Sequence, residues 1–106
     1  MTVPIVSHWK TATIKSGGTV SDVVDLVEYF GSILILIPSI TGATVTIALS
    51  DDGVTFYRLD KPDGGGDMTL PKSRAHRVHT CCARYLQLTS ASSEGADRSI
   101  LILGTN

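Results

Sequence analysis

The stretch ATVTIALSDDGVTFY, residues 43–57, alternates in the manner of a β-hairpin. Every second residue of its first half is apolar, which is the period of a strand with one buried face. These residues are Val45, Ile47 and Leu49. Asp51-Asp52-Gly53 predicts a tight turn, because glycine readily adopts the positive φ that such turns require. Residues 55–59 (TFYRL) are then predicted to form the returning strand.

The rest of the chain follows the same pattern, with turn signals about every 8–12 residues. Further strands are expected at residues 11–15, 19–26, 32–37, 68–70, 77–80, 84–89 and 99–103. A helix over residues 21–30 is the competing interpretation, since Ser21 and Asp22 could cap it, but the β-branched pair Val23-Val24 disfavours it. The pattern predicts an all-β fold, an antiparallel, jelly-roll-like β-sandwich of about seven to nine strands.

The alternation also predicts which side chains are buried. Residues 32–37 read SILILI, with apolar residues on both faces, which predicts a central strand covered on both sides. In the segment before it, Val20 and Val24 are expected on one face and Ser21 on the other. The predicted core comprises Ile35, Ile37, Val45, Ile47, Leu49, Phe56, Leu86, Leu88, Ile100 and Ile102.

Residues 1–10 carry apolar residues without a clean period and include Pro4, which predicts an extended N-terminal arm. A single β-sandwich domain is then expected at residues 11–106. The ring of Trp9 needs an apolar contact, either on its own domain or on a partner subunit. Because the arm has too little local sequence to bury itself, its apolar residues are the candidate partner-binding residues. They are Val3, Pro4, Ile5, Val6 and Trp9.

Composition narrows the possible functions. The chain has 106 residues, of which 42% are hydrophobic and only 18% charged, and its net charge is −1. So small a net charge produces only a weak electrostatic field, which is not expected to attract nucleic acid or an anionic membrane. The N-terminus does not have the pattern of a signal peptide, and the apolar run Ile33–Ile37 is too short to span a bilayer. The adjacent cysteines Cys81 and Cys82 provide no disulfide framework, which favours assembly in a reducing cytoplasm.

One constellation could bind a metal ion, because His76, His79, Cys81 and Cys82 are all potential ligands. On a strand, however, His79 and Cys81 share a face from which Cys82 points away, and the spacing matches no standard zinc pattern. We therefore predict two structural, unlinked and metal-free cysteines and no cofactor.

The acidic residues and the serine hydroxyl groups likewise do not indicate a metal-binding or catalytic site. Carboxylates on neighbouring loops could bind calcium, but the alternating-oxygen spacing of a calcium loop is absent, and aspartate is also a usual turn residue. These carboxylates belong to Asp51, Asp52, Asp60, Asp63 and Asp67. No serine lies in a nucleophile-elbow motif, and Gly64-Gly65-Gly66 lacks the ending of a phosphate loop. The sequence predicts that the protein is not an enzyme.

The order of features resembles that of a group of short proteins encoded among the head-assembly genes of tailed bacteriophages. The shared pattern covers about residues 16–103. It consists of SGGTVSDVVDL at residues 16–26, an apolar strand ending at Ile37-Pro38, the hairpin ATVTIALSDDGVTFY, ARYLQL at residues 83–88 and DRSILIL at residues 97–103.

This resemblance implies a virion structural protein, specifically a capsid cement (decoration) protein on the exterior of the head, assembled in the cytoplasm of the bacterial host. The implied partner is the major capsid protein. A homotrimer is expected, because capsid shells offer three-fold junctions and closed symmetry satisfies head-to-tail contacts. The hairpin pattern Ser50-x-Asp52-Gly53-x-Thr55-Phe56 also occurs in carbohydrate-binding and discoidin-like jelly rolls, so the alternative is a carbohydrate-binding or accessory module of a tail or fibre.

Overall fold

The computed structural model describes residues 7–26, 32–61, 64–78 and 83–105. Within these ranges there are nine strands. They are β1 (Ser7–Ile14), β2 (Val24–Asp25), β3 (Ile33–Ile37), β4 (Thr44–Ser50), β5 (Tyr57–Arg58), β6 (Thr69–Pro71), β7 (Arg74–Val78), β8 (Tyr85–Ser90) and β9 (Arg98–Thr105). The described part of the chain contains no helix that could cross a membrane.

The strands form two antiparallel sheets. The first sheet has the order β1-β9-β3-β7, and the second has the order β2-β8-β4-β5, with β6 also paired to β4. Long-range pairing dominates, since the first strand of the chain pairs along its whole length with the last. The predicted all-β antiparallel sandwich is confirmed.

The core lies between the two sheets and is formed by alternate residues of their longer strands. Ile33, Ile35 and Ile37 from the first sheet meet Val45, Ile47, Leu86 and Leu88 from the second in one cluster. Eight of the ten predicted core residues are buried; Leu49 is partly buried against the cluster, and Phe56 is only half-buried.

The first strand begins earlier than expected. Ser7 to Lys10, predicted to belong to the arm, form the first half of β1 and pair with the end of β9. Residues 7–10 read SHWK and do not alternate in polarity, so the local pattern does not predict the strand that their pairing with β9 defines. Residues 1–6 lie outside the described part of the chain.

The segment before β3 also differs from the prediction. Val20 is 48% exposed, whereas Ser21 is buried. The Ser21 amide donates to the Leu88 carbonyl at 2.8 Å, and the Leu88 amide donates to Ser21 Oγ at 3.0 Å. Because these hydrogen bonds satisfy the serine, it can lie inside, and the expected faces of Val20 and Ser21 are exchanged.

One buried carboxylate joins the ends of the two sheets. Glu94 accepts hydrogen bonds from the amides of Thr41 (2.8 Å) and Gly42 (3.0 Å), from Ser90 Oγ (2.7 Å) and from Arg98 Nε (3.0 Å). Burial alone raises the pKa of this group, but these hydrogen bonds outweigh burial and lower it from 4.5 to about 2. Glu94 thus holds the loop before β4 against the loop before β9.

Candidate protein-interaction face

The outer face of the first sheet carries four leucines that no other described element covers. Leu34 lies directly opposite Leu103 across the β3–β9 pairing, and Leu36 lies opposite Leu101. We call Leu34, Leu36, Leu101 and Leu103 the leucine face. Leu34 is 37% exposed and Leu101 is 36% exposed. The isoleucines that alternate with the leucines along the two strands are buried: Ile35, Ile37, Ile100 and Ile102.

This arrangement corrects the expectation that residues 32–37 form a strand covered on both sides. β3 is indeed an interior strand of its sheet, but the described fold has only two layers, so one face of each sheet points outward. Both β3 and β9 place isoleucine inward and leucine outward. The leucine face is therefore a partly exposed apolar surface on the outside of the first sheet.

Two open depressions lie along the leucine face. The larger, about 420 Å³, is lined by Leu36, Leu101, Ala75, Pro38 and Arg74 together with Ile37, Ser73 and Ser99. The other, about 370 Å³, is lined by Leu34, Leu103, Arg77, Ile33 and Ser32. Each depression therefore combines two opposed leucines with one arginine.

Both arginines belong to β7, which forms an edge of the first sheet. The chain enters β7 through a corner at Ser73, whose φ is 61°, an uncommon value for a residue other than glycine. The corner is held by backbone hydrogen bonds from Lys72 to Ala43 (3.1 Å) and from Ser73 to Pro38 (3.2 Å). It thereby sets where Arg74 begins the strand beside the larger depression.

The outer face of the second sheet is polar by contrast. Thr46, Gln87 and Thr89 occupy outward positions of β4 and β8. The Gln87 amide donates to the Ser21 carbonyl at 3.1 Å. Arg58 on β5 pairs with Asp67 at 2.8 Å. Among the described residues of this face, Val20, which bridges to Thr89, is an exposed apolar residue, but no leucine is exposed.

The predicted hairpin turn is present, and its acidic residue has a structural role. Asp52 Oδ1 lies 2.9 Å from the Ser50 hydroxyl and accepts from the amides of Val54 (2.8 Å) and Thr55 (3.0 Å). The hydrogen bonds from Val54 and Thr55 lower the pKa of Asp52. Gly53 has φ of 80°, as the turn prediction required.

Of the other candidate ligands, Asp60 and Asp67 lie opposite each other across an isolated β-bridge. His76 lies on β7 with Nε2 2.9 Å from the Pro71 carbonyl oxygen, while His79, Cys81 and Cys82 lie outside the described residues. Asp63 also lies outside them, and Asp67 is the partner of Arg58. Across residues 7–26, 32–61, 64–78 and 83–105, no three histidine, cysteine or acidic side chains form a group that could bind a metal.

The predicted partner-binding residues of the arm are mostly outside the described chain. Val3, Pro4, Ile5 and Val6 belong to residues 1–6, and the backbone of Trp9 pairs with Leu103 in β1. The prediction from sequence missed the leucine face. Its signal was available, because the runs ILILI at residues 33–37 and ILIL at residues 100–103 both alternate isoleucine with leucine.

Comparisons with known proteins show the fold. No family model and no curated protein sequence matches the chain. The SPBc2 prophage-derived protein YomS has a similar structure, with a TM-score of 0.62 and 12% sequence identity over 100% of both chains. CBM32-1 from a family 31 glycoside hydrolase of Clostridium perfringens is similar over 91% of this chain and 75% of its own, with a TM-score of 0.54 and 14% identity. The chain therefore shares its sandwich fold with a prophage-derived protein and with a carbohydrate-binding module.

Proposed function

We propose that this protein is a virion structural protein of a tailed phage, a capsid cement protein that binds the outside of the head through the leucine face. The observation that carries the proposal is the exposed leucine face on a two-layer sandwich. The resemblance to head-associated phage proteins and the fold shared with a prophage-derived protein support it. The role is structural rather than enzymatic.

The strength of the contact favours a repeated arrangement. Complete burial of a leucine side chain contributes about 1.5–3 kcal/mol, so covering the remaining third of Leu34 and of Leu101 contributes about 1–2 kcal/mol in all. Even a contact of about 4 kcal/mol corresponds to a Kd of only about 1 mM. A single subunit would therefore bind weakly, whereas linked subunits gain from effective concentration once one of them is bound.

This argument supports a homotrimer positioned at the three-fold junctions of the capsid shell. We expect light scattering of the full chain to give about three times its mass of 11.3 kDa. Deletion of residues 1–6, which leaves β1 intact, tests whether Val3, Pro4, Ile5 and Val6 make the contacts between subunits. A mass of 11.3 kDa for the full chain would contradict the trimer.

The head contact is tested with expanded heads of the encoding phage, assembled without this protein and mixed with the purified full chain. We expect co-sedimentation and a raised temperature of head disruption. Leu34→Ser with Leu101→Ser should abolish both effects. The matched control is Val20→Ser with Val54→Ser, which removes two exposed valines elsewhere and should leave binding unchanged. If the wild-type chain leaves the heads unbound, the cement function is wrong.

A second candidate function is carbohydrate binding, as part of a tail or fibre. Tyr57 favours it, since its side chain is 69% exposed on the edge strand β5 and sugars stack on exposed aromatic rings. A glycan array probed with the wild-type chain and with Tyr57→Ala distinguishes the two functions. Glycan binding that is lost with Tyr57→Ala, together with no binding to heads, would favour this second function.

A further inference from the structure

We propose that the leucine face recognises a protein surface on which apolar side chains lie beside carboxylates, with Arg74 and Arg77 as the residues that select the carboxylates. The inference rests on the proposed function, because it names the chemistry of the surface to which the leucine face binds. It adds a charge requirement that the leucines alone do not impose.

The placement of the two arginines is the first argument. Arg77 lies opposite Leu34 in the β3–β7 pairing and lines the smaller depression. Arg74 begins the same strand and lines the larger one with Leu36 and Leu101. The register places Arg77 on the leucine face, whereas Arg74 lies opposite the buried Ile37 and borders the larger depression from the exposed edge of the sheet. Arg77 can therefore bind a carboxylate while the adjacent leucines contact apolar groups, and Arg74 can bind a second carboxylate at the edge.

The second argument is that the two guanidinium groups have no acidic partner within the described chain. Four other cations are paired: Lys15 with Asp97, Arg58 with Asp67, Arg84 with Asp25 and Arg98 with Glu94. No described carboxylate forms an ion pair with Arg74 or Arg77, and both residues are exposed. An arginine beside an apolar surface favours a bidentate carboxylate partner, because contact with a partner there excludes water and strengthens the pairing.

The leucines argue for a protein rather than a nucleic acid as the partner. A nucleic acid would be bound by a basic surface that neutralises several phosphates, but here two leucines line each depression and the chain has a net charge of −1. Charged residues on an edge strand can also serve only to prevent pairing with other sheets. That alternative makes a different prediction, because glutamates at the same two positions would prevent edge pairing equally well.

The experiment measures binding of the full chain to heads assembled without it. Arg74→Glu with Arg77→Glu should weaken binding about tenfold or more, since attraction becomes repulsion, and Arg74→Gln with Arg77→Gln should give an intermediate loss. The matched control is Arg58→Glu with Lys61→Glu, which makes the same change in net charge at the edge of the second sheet and should leave binding unchanged. Circular dichroism and thermal unfolding verify that each variant is folded.

Salt provides a second readout. Raising the salt from about 0.1 M to about 1 M shortens the screening length from about 10 Å to about 3 Å. Wild-type binding should weaken over this range, and the glutamine variant should lose most of that dependence.

The outcomes separate the two proposals. If the glutamate variant binds as the wild type does while Leu34→Ser with Leu101→Ser abolishes binding, the charge inference is overturned and the cement function stands. If the wild-type chain does not bind heads at all, the cement function fails. Binding of the wild type to duplex DNA that the glutamate variant loses would also overturn the inference, in favour of a nucleic acid partner.

Discussion

The two sheets of the sandwich have similar inner faces and very different outer faces. Both contribute isoleucine, leucine and valine to one core. On the outside, however, the first sheet presents Leu34, Leu36, Leu101 and Leu103, and the second presents Thr46, Gln87 and Thr89. The comparison shows that the inner rows of the two sheets share one core, whereas their outer rows differ in polarity.

The largest loss of stability is expected for substitutions in the core, to which both sheets contribute. Ile47→Ala in the second sheet and Ile102→Ala in the first should each lower the free energy of unfolding by about 2–5 kcal/mol, because both side chains are almost completely buried. Chemical denaturation measures both. A loss below about half a kcal/mol for either variant would show that its sheet does not share the core.

A smaller loss of stability is expected when Glu94, which joins the ends of the sheets, loses its negative charge. Its pKa is about 2 in the folded chain and 4.5 in the unfolded one, so the unfolded state binds the proton more tightly. The stabilisation is therefore complete above about pH 4.5 and is lost as the pH falls towards 2; it amounts to about 3 kcal/mol.

Glu94→Gln should lower the free energy of unfolding at neutral pH by a similar amount and flatten its decrease between about pH 4.5 and 2. Denaturation at a series of pH values measures both, and Asp97→Asn, at an exposed neighbour, is the control. An unchanged acid profile in Glu94→Gln would contradict this role.

The smallest effect on folding is expected on the outer faces themselves, where the sheets differ. Leu36→Thr and Thr46→Ser should each change the free energy of unfolding by less than about 2 kcal/mol, because neither side chain lies in the core. Only Leu36→Thr should weaken binding to heads. Equal binding by the two variants would remove the functional distinction between the faces.

Much of the fold could be predicted from sequence because its signals are local. The alternation of Val45 and Ile47 and the turn at Gly53 depend on neighbouring residues, and both are present as predicted. Val20 and Ser21 were assigned to the wrong faces, since the hydrogen bonds between Ser21 and Leu88 join residues far apart in sequence. The role of Glu94 was not predicted, because its partners come from three separate segments.

The candidate site shows the same division between what the local sequence predicts and what contacts between distant residues determine. By itself the sequence determined an all-β sandwich, the identity of its buried isoleucines and the lack of strong charge, because period-two alternation and composition follow directly from the order of residues. Only the tertiary structure decided that the leucines of β3 and β9 face outward side by side and that Arg77 lies opposite Leu34 on the same face. The physical reason is that alternation specifies two faces of a strand, but pairing and layering determine which of those faces another layer covers.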